Sequence, residues 1–296
     1  MKWARLAWQR ALRVKTCSVP ETGAKRFLAQ VTTSGDAEML RAAEIARYQE
    51  NGQLTPSFRL SAETIARIER KMEALFAAHP ELDPDYAPSL IELDKSWLEI
   101  ASMPEILDAV GQLIGHDIVV WGSAFFCKRG TGGKATPWHQ DGQYWPMRPL
   151  ESCTVWIAID HSTPENGCLR IIPGSHKQRE MLDHDDAARS DVVLNQAVAT
   201  EAMPEVEPID VVLEPGQLSI HDAFIVHGAE PNNSGQRRGG LTFRYMPTTS
   251  HFDRDLARRQ AQELGVIDIS DRDLHLVRGV DRCGKNDIYQ AAAGEA

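Results

Sequence analysis

The order of hydrophobic patterns along the chain constrains its fold most strongly. The first third has helical periodicity, at 37–49, 61–78 and 88–112, and Pro104 is placed to start a new helix in the last segment. Seven short segments rich in β-branched and aromatic residues follow: 118–128, 153–159, 168–172, 209–213, 217–221, 224–228 and 241–246. Residues 253–264 are predicted to return to helix.

Glycine and proline turns separate the predicted strands, as at Pro164-Glu165-Asn166-Gly167 and Pro215-Gly216. Helices followed by many short strands are typical of a β-sandwich or a small barrel with helices packed outside it. We therefore predict an α+β protein with a mainly β core and flanking helices, most of them N-terminal. The acidic segment 183–191 is predicted to be a surface insertion.

Composition narrows the possible partners. The 296 residues carry a net charge of −10, which disfavours nucleic-acid binding, and the chain contains no apolar run of about 18 residues that could span a membrane. The five cysteines form no C-x-x-C pair, which favours reduced thiols in a cytoplasmic protein. Residues 1–20 are basic and could form an amphipathic surface helix, with a targeting segment as the alternative.

One short motif has the composition of a metal site. His139 and Asp141 form an H-x-D pair, in which an imidazole and a carboxylate two residues apart on a strand face the same side. A second H-x-D pair, His184 and Asp186, lies in a run of like charges and is predicted to be solvated surface.

A second histidine, far along the chain, completes the pattern. His227 ends a short apolar strand 86 positions after Asp141, and Arg238 follows eleven residues later. Two histidines and one carboxylate form the facial triad of non-haem Fe(II) sites, which leaves three positions open for a co-substrate and dioxygen. The rival for His227 is His221, and the rival for Arg238 is Arg237, of which only one can point inward.

Three segments resemble the phytanoyl-CoA dioxygenase family of Fe(II)- and 2-oxoglutarate-dependent oxygenases. They are WHQDGQYWPMRP, TVWIAIDHSTPENGCLRIIPGSHK and PGQLSIHDAFIVHGAEPNNSGQRRGGLTFRY. The resemblance implies a double-stranded β-helix, which is a jelly-roll, cupin-like core, at about 117–250. It implies a family domain over 45–296 that follows an N-terminal helical extension over 1–44.

The same resemblance assigns roles residue by residue. His139, Asp141 and His227 match the iron ligands, and Arg238 matches the arginine that pairs with the C5 carboxylate of 2-oxoglutarate. Trp156 matches an aromatic residue beside that co-substrate. Ala229 departs from the pattern, since several relatives have serine there, and this leaves one co-substrate hydrogen bond in doubt.

The implied reaction is hydroxylation of an unactivated C–H bond of a small organic substrate, with Fe(II), 2-oxoglutarate and O2 as cofactors and co-substrates and succinate and CO2 as products. Asp141 favours hydroxylation over halogenation, because halogenating relatives lack this carboxylate. The alternatives are a non-catalytic binding module on the same fold and a cupin-like metal hydrolase or isomerase.

The sequence is compatible with three classes of substrate: a small polar metabolite such as an aminophosphonate or betaine, an acyl-CoA, or a natural-product intermediate. The residues predicted to line its pocket lie near the motif: Phe125, Tyr144, Trp145 and Arg148. We expect a monomer or homodimer with a small-molecule substrate, no nucleic-acid partner and no membrane span.

Overall fold

The computed structural model describes residues 39–187 and 189–290. Residues 1–38 of the predicted N-terminal extension lie outside this range. Helix α1, Ala42–Asn51, crosses the predicted boundary between the extension and the domain at residues 44 and 45. No helix in the described part of the chain is long and apolar enough to cross a membrane.

Six α-helices lie in the described ranges: α1 Ala42–Asn51, α2 Ala62–Ala78, α3 Leu90–Leu93, α4 Leu98–Ala101, α5 Pro104–Ile114 and α6 Arg254–Leu264. Ser61 directly precedes helix α2 and caps it, because its side chain accepts a hydrogen bond from the Thr64 amide. Pro104 occupies the first turn of α5, as predicted, where its missing N–H costs no hydrogen bond.

The described residues form fifteen strands, in this order: β1 Gln53–Leu54, β2 Ala87–Pro88, β3 Ile118–Lys128, β4 Thr136–His139, β5 Met147–Arg148, β6 Cys153–Ala158, β7 Leu169–Ile171, β8 His184–Asp186, β9 Gln196–Val198, β10 Ile209–Val211, β11 Leu218–Asp222, β12 His227–Ala229, β13 Arg238–Pro247, β14 His251–Phe252 and β15 His275–Arg278. The predicted strand 224–228 is shorter than expected, because the chain turns at Ala223 and Phe224 before β12. The predicted surface insertion, 183–191, contains β8, which pairs with β9 just beyond it.

Two antiparallel sheets form the core. The larger has the order β1-β11-β6-β13-β3-β15, with β2 paired to β3, and the smaller has the order β10-β7-β12-β4. Non-consecutive strands are neighbours in both sheets, as in a jelly roll. The predicted α+β class with a mainly β core and outer helices is confirmed.

Side-chain alternation along β13 gives the large sheet two unlike faces. Leu241 and Phe243 belong to a hydrophobic core that also includes Ile68 and Met72 of α2. Thr242 and Arg244, on the opposite face, line a cavity together with residues of the smaller sheet. The helices therefore cover one face of the large sheet. Its opposite, more polar face lines a cavity between the two sheets.

Candidate active site

Two of the predicted ligands meet through strand pairing. His139 ends β4 and His227 begins β12, and the two residues are direct partners in the antiparallel register of the smaller sheet. Their ring centroids lie 4.1 Å apart, and both residues are buried. Residues separated by almost ninety positions are thus adjacent because of one strand pair.

Asp141 joins the two histidines from the turn that follows β4. Its Oδ1 lies 3.5 Å from His139 Nε2, and its Oδ2 accepts a hydrogen bond from Thr154 Oγ1 at 3.1 Å. One ligand atom from each of His139, Asp141 and His227 lies within 4.8 Å of the others. This spacing suits three donors around a single cation.

Backbone carbonyls hold both imidazoles in the form that a metal requires. His139 Nδ1 donates to the carbonyl of Pro137 at 2.8 Å, and His227 Nδ1 donates to the carbonyl of Ile225 at 3.0 Å. Since the proton sits on Nδ1 in each ring, Nε2 keeps its lone pair for coordination. The sequence could not identify these carbonyl partners.

The protonation states also suit a metal. Burial lowers the pKa of His227 well below its usual value, and the neighbouring His139 lowers it further. Burial alone would raise the pKa of Asp141, but the close approach of His139, His221 and His227 outweighs it and holds this pKa well below its usual value. The site therefore contains a neutral His227 and an ionised Asp141, which are the coordinating forms.

The rival histidine, His221, lies beside the triad on the other sheet. Its Nε2 is 3.7 Å from Asp141 Oδ2, its ring centroid is 4.7 Å from that of His227, and its buried Nδ1 has no hydrogen-bond partner. Among the described residues, the group with mutually close ligand atoms is His139, Asp141 and His227. His221 therefore belongs to the wall of the site.

Arg238 and Trp156 lie together on the large sheet. The Arg238 guanidinium carbon is 5.2 Å from the Trp156 ring centroid, and both residues line the cavity that contains the triad. Arg238 is 3% exposed, its Nε has no hydrogen-bond partner, and it forms no ion pair with any described residue. Burial lowers the pKa of Arg238 to about 10, so the guanidinium stays charged at neutral pH.

Arg237 has the opposite environment. It forms ion pairs with Asp160 at 2.8 Å and with Glu69 at 2.7 Å, outside this cavity. Because consecutive strand residues face opposite sides, Arg238 is the member of the pair that is available to an anion in the site.

Gly240 makes room for Trp156. A Cβ atom at Gly240 would lie 2.0 Å from Trp156 Cζ2, far inside van der Waals contact. A glycine at this position of β13 therefore allows the indole to lie close against the strand, where it flanks Arg238.

A second cavity of about 320 Å³ shares His139, Asp141, Phe126 and Arg244 with the triad cavity. Tyr144 and Trp145 line it, as predicted for the substrate pocket. Its volume is that of a site for a small molecule.

Two of the residues predicted to line this pocket do not do so. Phe125 is fully buried on the helix-covered face, where it packs edge-to-face on Trp97. Phe126 lines the cavity in its place, because adjacent strand residues face opposite sides. Arg148 is exposed and donates to the backbone carbonyls of Trp145 and Met147.

Other residues of the site were missed. Thr154 and Arg244 face the cavity, and their even spacing from Trp156 and Arg238 along the same strands was the available signal. His184 was predicted to be solvated surface, but it is half-buried and accepts a hydrogen bond from the Gln140 amide at 3.2 Å. No local pattern shows that contact.

Comparison with known proteins identifies relatives of this architecture. Residues 48–240, more than half of the chain, match the family model described as phytanoyl-CoA dioxygenase (PhyH). Human peroxisomal phytanoyl-CoA dioxygenase is 26% identical over 242 residues, which cover 73% of this chain and 71% of that protein.

Two further relatives differ in coverage. The dioxygenase lolE1 of Epichloe uncinata is 32% identical over 148 residues, which cover 50% of this chain and 52% of lolE1, so the match spans about half of that relative. The structure of the non-heme monooxygenase ThoJ in its apo form matches with a TM-score of 0.63 at 24% identity, over 80% of this chain and 84% of that one. That likeness shows the shared fold.

Proposed function

The chain belongs to the phytanoyl-CoA dioxygenase family of Fe(II)- and 2-oxoglutarate-dependent dioxygenases, and from that premise we propose that it hydroxylates a small organic substrate at the site between its two sheets. The family resemblance and the oxygenase class predicted from the sequence are confirmed at this level. The ligand roles, the reaction and the substrate are proposed here for this chain.

The proposed iron ligands are His139, Asp141 and His227. The fit rests on chemistry already described: two buried imidazoles that donate from Nδ1 and turn Nε2 towards the cavity, and one ionised carboxylate, with their ligand atoms mutually within 4.8 Å. Thr154 donates to the Asp141 oxygen further from His139 and so orients the carboxylate. When bound, the metal supplies, with 2-oxoglutarate and dioxygen, the oxidising power that converts C–H to C–OH as succinate and CO2 form.

Arg238 is proposed to bind the C5 carboxylate of 2-oxoglutarate. A buried guanidinium without an ion pair is costly to keep, and a carboxylate ligand can offset that cost through two parallel hydrogen bonds. Trp156 restricts the space beside the guanidinium, so the co-substrate is oriented as well as bound.

The surrounding cavity positions the substrate. Tyr144 and Trp145 form apolar walls of the larger cavity, and His139 and Asp141 line the same cavity. A substrate held there presents a C–H bond to the triad while the aromatic walls limit the access of water. As a metal ligand, Asp141 would take the position that a halide needs, which favours hydroxylation over halogenation.

We further propose that the protein acts as a cytoplasmic monomer or homodimer. The acidic net charge of −10 and the absence of C-x-x-C pairs support this environment and disfavour a nucleic-acid partner. Subcellular fractionation and the molar mass in solution test these points.

The observation that carries the proposal is the convergence of the triad and the unpaired Arg238 on one cavity. Anaerobic titration with Fe(II) and 2-oxoglutarate is expected to produce the weak visible metal-to-ligand band in the wild type and none in His139→Ala or Asp141→Asn. Succinate release against a metabolite panel is expected to follow the same pattern.

A matched control is His161→Ala, because His161 is an exposed histidine paired with Glu214 outside the site. This variant should keep both the band and the turnover. Absence of the band in the wild type would favour the non-catalytic binding module, and substrate conversion with zinc but without succinate would favour the metal hydrolase or isomerase. Equal succinate release by the wild type and His139→Ala would show that the assigned triad is wrong.

A further inference from the structure

A second buried arginine faces the site from the strand that carries Arg238. Arg244 lies six positions later on β13, before the irregularity in pairing between Arg244 and Tyr245, so the two side chains share a face. Arg244 is 8% exposed, and it lines both the triad cavity and the larger cavity. Its strand partner on β6 is Thr154, which bonds Asp141.

Arg244 has no anionic partner in the described part of the chain. It forms no ion pair and donates no side-chain hydrogen bond there, and its buried Nε is unsatisfied. The guanidinium lies over the Trp145 ring, with 5.8 Å between the guanidinium carbon and the ring centroid. A buried cation without a counterion lowers the stability of the fold. An anionic ligand that binds Arg244 would offset this cost.

Arg272 adds positive charge at the same place. A Cβ atom on Gly122 would lie 3.2 Å from Arg272 Nη1 and 3.3 Å from Arg244 Cδ, so both side chains pack over this glycine. Arg272 is paired with Glu92 at 2.9 Å and donates to Ser89 Oγ at 2.9 Å. Of these two neighbouring arginines, Arg272 is paired with a carboxylate and Arg244 has no ion pair to any described residue, so one positive charge is uncompensated.

The rest of the larger cavity is largely aromatic and aliphatic. Its walls include Trp121, Tyr144, Trp145 and Ile267, and both arginines lie among its lining residues. A ligand that fits this lining has an apolar body and one anionic group able to accept parallel hydrogen bonds from a guanidinium.

We propose that Arg244, with Arg272 beside it, binds the oxyanion group of the substrate, which is a small carboxylate, phosphonate or phosphate. Each arginine of β13 then binds a different anion. Arg238 binds the co-substrate, and Arg244 binds the substrate so that its carbon skeleton lies beside His139 and Asp141. The identification of this ligand as the substrate rests on the proposed function. The selection of an oxyanion by the pocket is independent of that function.

Calorimetric binding tests this directly. The protein is loaded with Fe(II) and saturating 2-oxoglutarate under anaerobic conditions, which occupies Arg238, and is titrated with matched probes: phenylacetate against phenylacetamide, and benzylphosphonate against its dimethyl ester. We expect at least one anion to bind about 10- to 100-fold more tightly than its neutral partner, as loss of a charged hydrogen bond implies. Arg244→Gln should remove that preference, and Arg244→Lys should restore part of it.

The control substitution is Arg282→Gln, which removes an exposed arginine paired with Asp117 and should leave the preference intact. No anion preferred by the wild type, or a preference that persists in Arg244→Gln, overturns the proposal. A raised KM for 2-oxoglutarate in Arg244→Gln also overturns it, because the guanidinium would then serve the co-substrate.

Thermal unfolding separates ligand binding from a structural role. Because Arg244 forms no ion pair with a described residue, Arg244→Gln should melt at the same temperature as the unliganded wild type or higher. A markedly lower or non-cooperative transition overturns the proposal in favour of a structural arginine. Charge-selective binding without any succinate release would contradict the proposed function and leave this inference standing.

Discussion

His139 and His227 are direct cross-strand partners, with ring centroids 4.1 Å apart. The pairing of β4 with β12 therefore decides which imidazoles share the cavity. A slip of one residue in this register would turn one of the rings to the opposite face of the sheet. The short strand β12 is anchored by its second neighbour, β7, where His227 pairs with Ile171.

Substitutions of His227 and His221, the two candidate metal ligands in this part of the chain, should differ in their effect on metal binding. We expect His227→Asn to abolish binding of Fe(II), or of Co(II) as a spectroscopic probe, because it removes one of three converging donors. His221→Asn should retain the metal with at most a modest loss of affinity. Anaerobic metal titration monitored by absorbance makes the comparison, and loss of the metal in His221→Asn with retention in His227→Asn would reverse the assignment.

Neighbouring arginines provide a matched test of co-substrate binding. We expect Arg238→Gln to raise the KM for 2-oxoglutarate by about 10- to 100-fold, as the loss of a charged hydrogen bond implies. Arg237→Gln breaks the ion pairs with Asp160 and Glu69 and should change stability more than KM. Initial rates of succinate release at varied 2-oxoglutarate measure both, and an equal rise in KM for the two variants would argue against Arg238 as the specific anchor.

The contact of Gly240 with Trp156 predicts an indirect effect on the same site. Gly240→Ala introduces a Cβ 2.0 Å from Trp156 Cζ2, so the indole or the strand must move. We expect a loss of about 1–3 kcal/mol in the free energy of unfolding, which is typical of overpacking, and a raised KM for 2-oxoglutarate.

A double-mutant cycle tests the cause of that loss. In the Trp156→Leu background, the alanine at position 240 should cost less than it does in the wild type, because the atoms it meets are gone. Urea denaturation of the four proteins gives the coupling energy. Additive costs would show that the strain at Gly240 does not involve Trp156.

Glu44 should contribute to acid sensitivity. Its carboxylate accepts bonds from the amides of Ser57 at 2.6 Å and Arg41 at 2.8 Å and from the Arg41 guanidinium, and these outweigh burial and lower its pKa to about 2. The unfolded chain has an ordinary pKa of 4.5. Protons therefore bind the unfolded state first, so this stabilisation is present above pH 4.5 and is lost as the pH falls towards 2.

The matched variant is Glu44→Gln. At pH 7 we expect its free energy of unfolding to be about 1–3 kcal/mol lower than that of the wild type, because it loses charged hydrogen bonds. This difference should shrink between pH 4.5 and pH 2, as the wild-type carboxylate becomes neutral. Urea unfolding at several pH values measures it, and a difference independent of pH would show that the charge of Glu44 contributes nothing.

Much of the architecture can be read from local pattern. Strand β3 occupies the predicted residues 118–128, and α5 begins at Pro104 as expected. These elements can be predicted because burial of one face makes hydrophobic residues recur with a period of two in a strand and 3.6 in a helix. The segments around His139 and His227 were also sufficient to indicate the family.

Contacts between the two sheets could not be read in that way. The sequence by itself determined the element order, the family pattern and the residue types for a triad with an arginine downstream. Only the tertiary structure decided that His221 lies beside Asp141 and that the carbonyls of Pro137 and Ile225 hold the rings of His139 and His227. It also decided that Arg244 lies next to Arg272 without an ion pair to any described residue. The physical reason is that strand alternation shows which face a side chain takes, whereas the closing of one sheet over another decides which charges share a cavity.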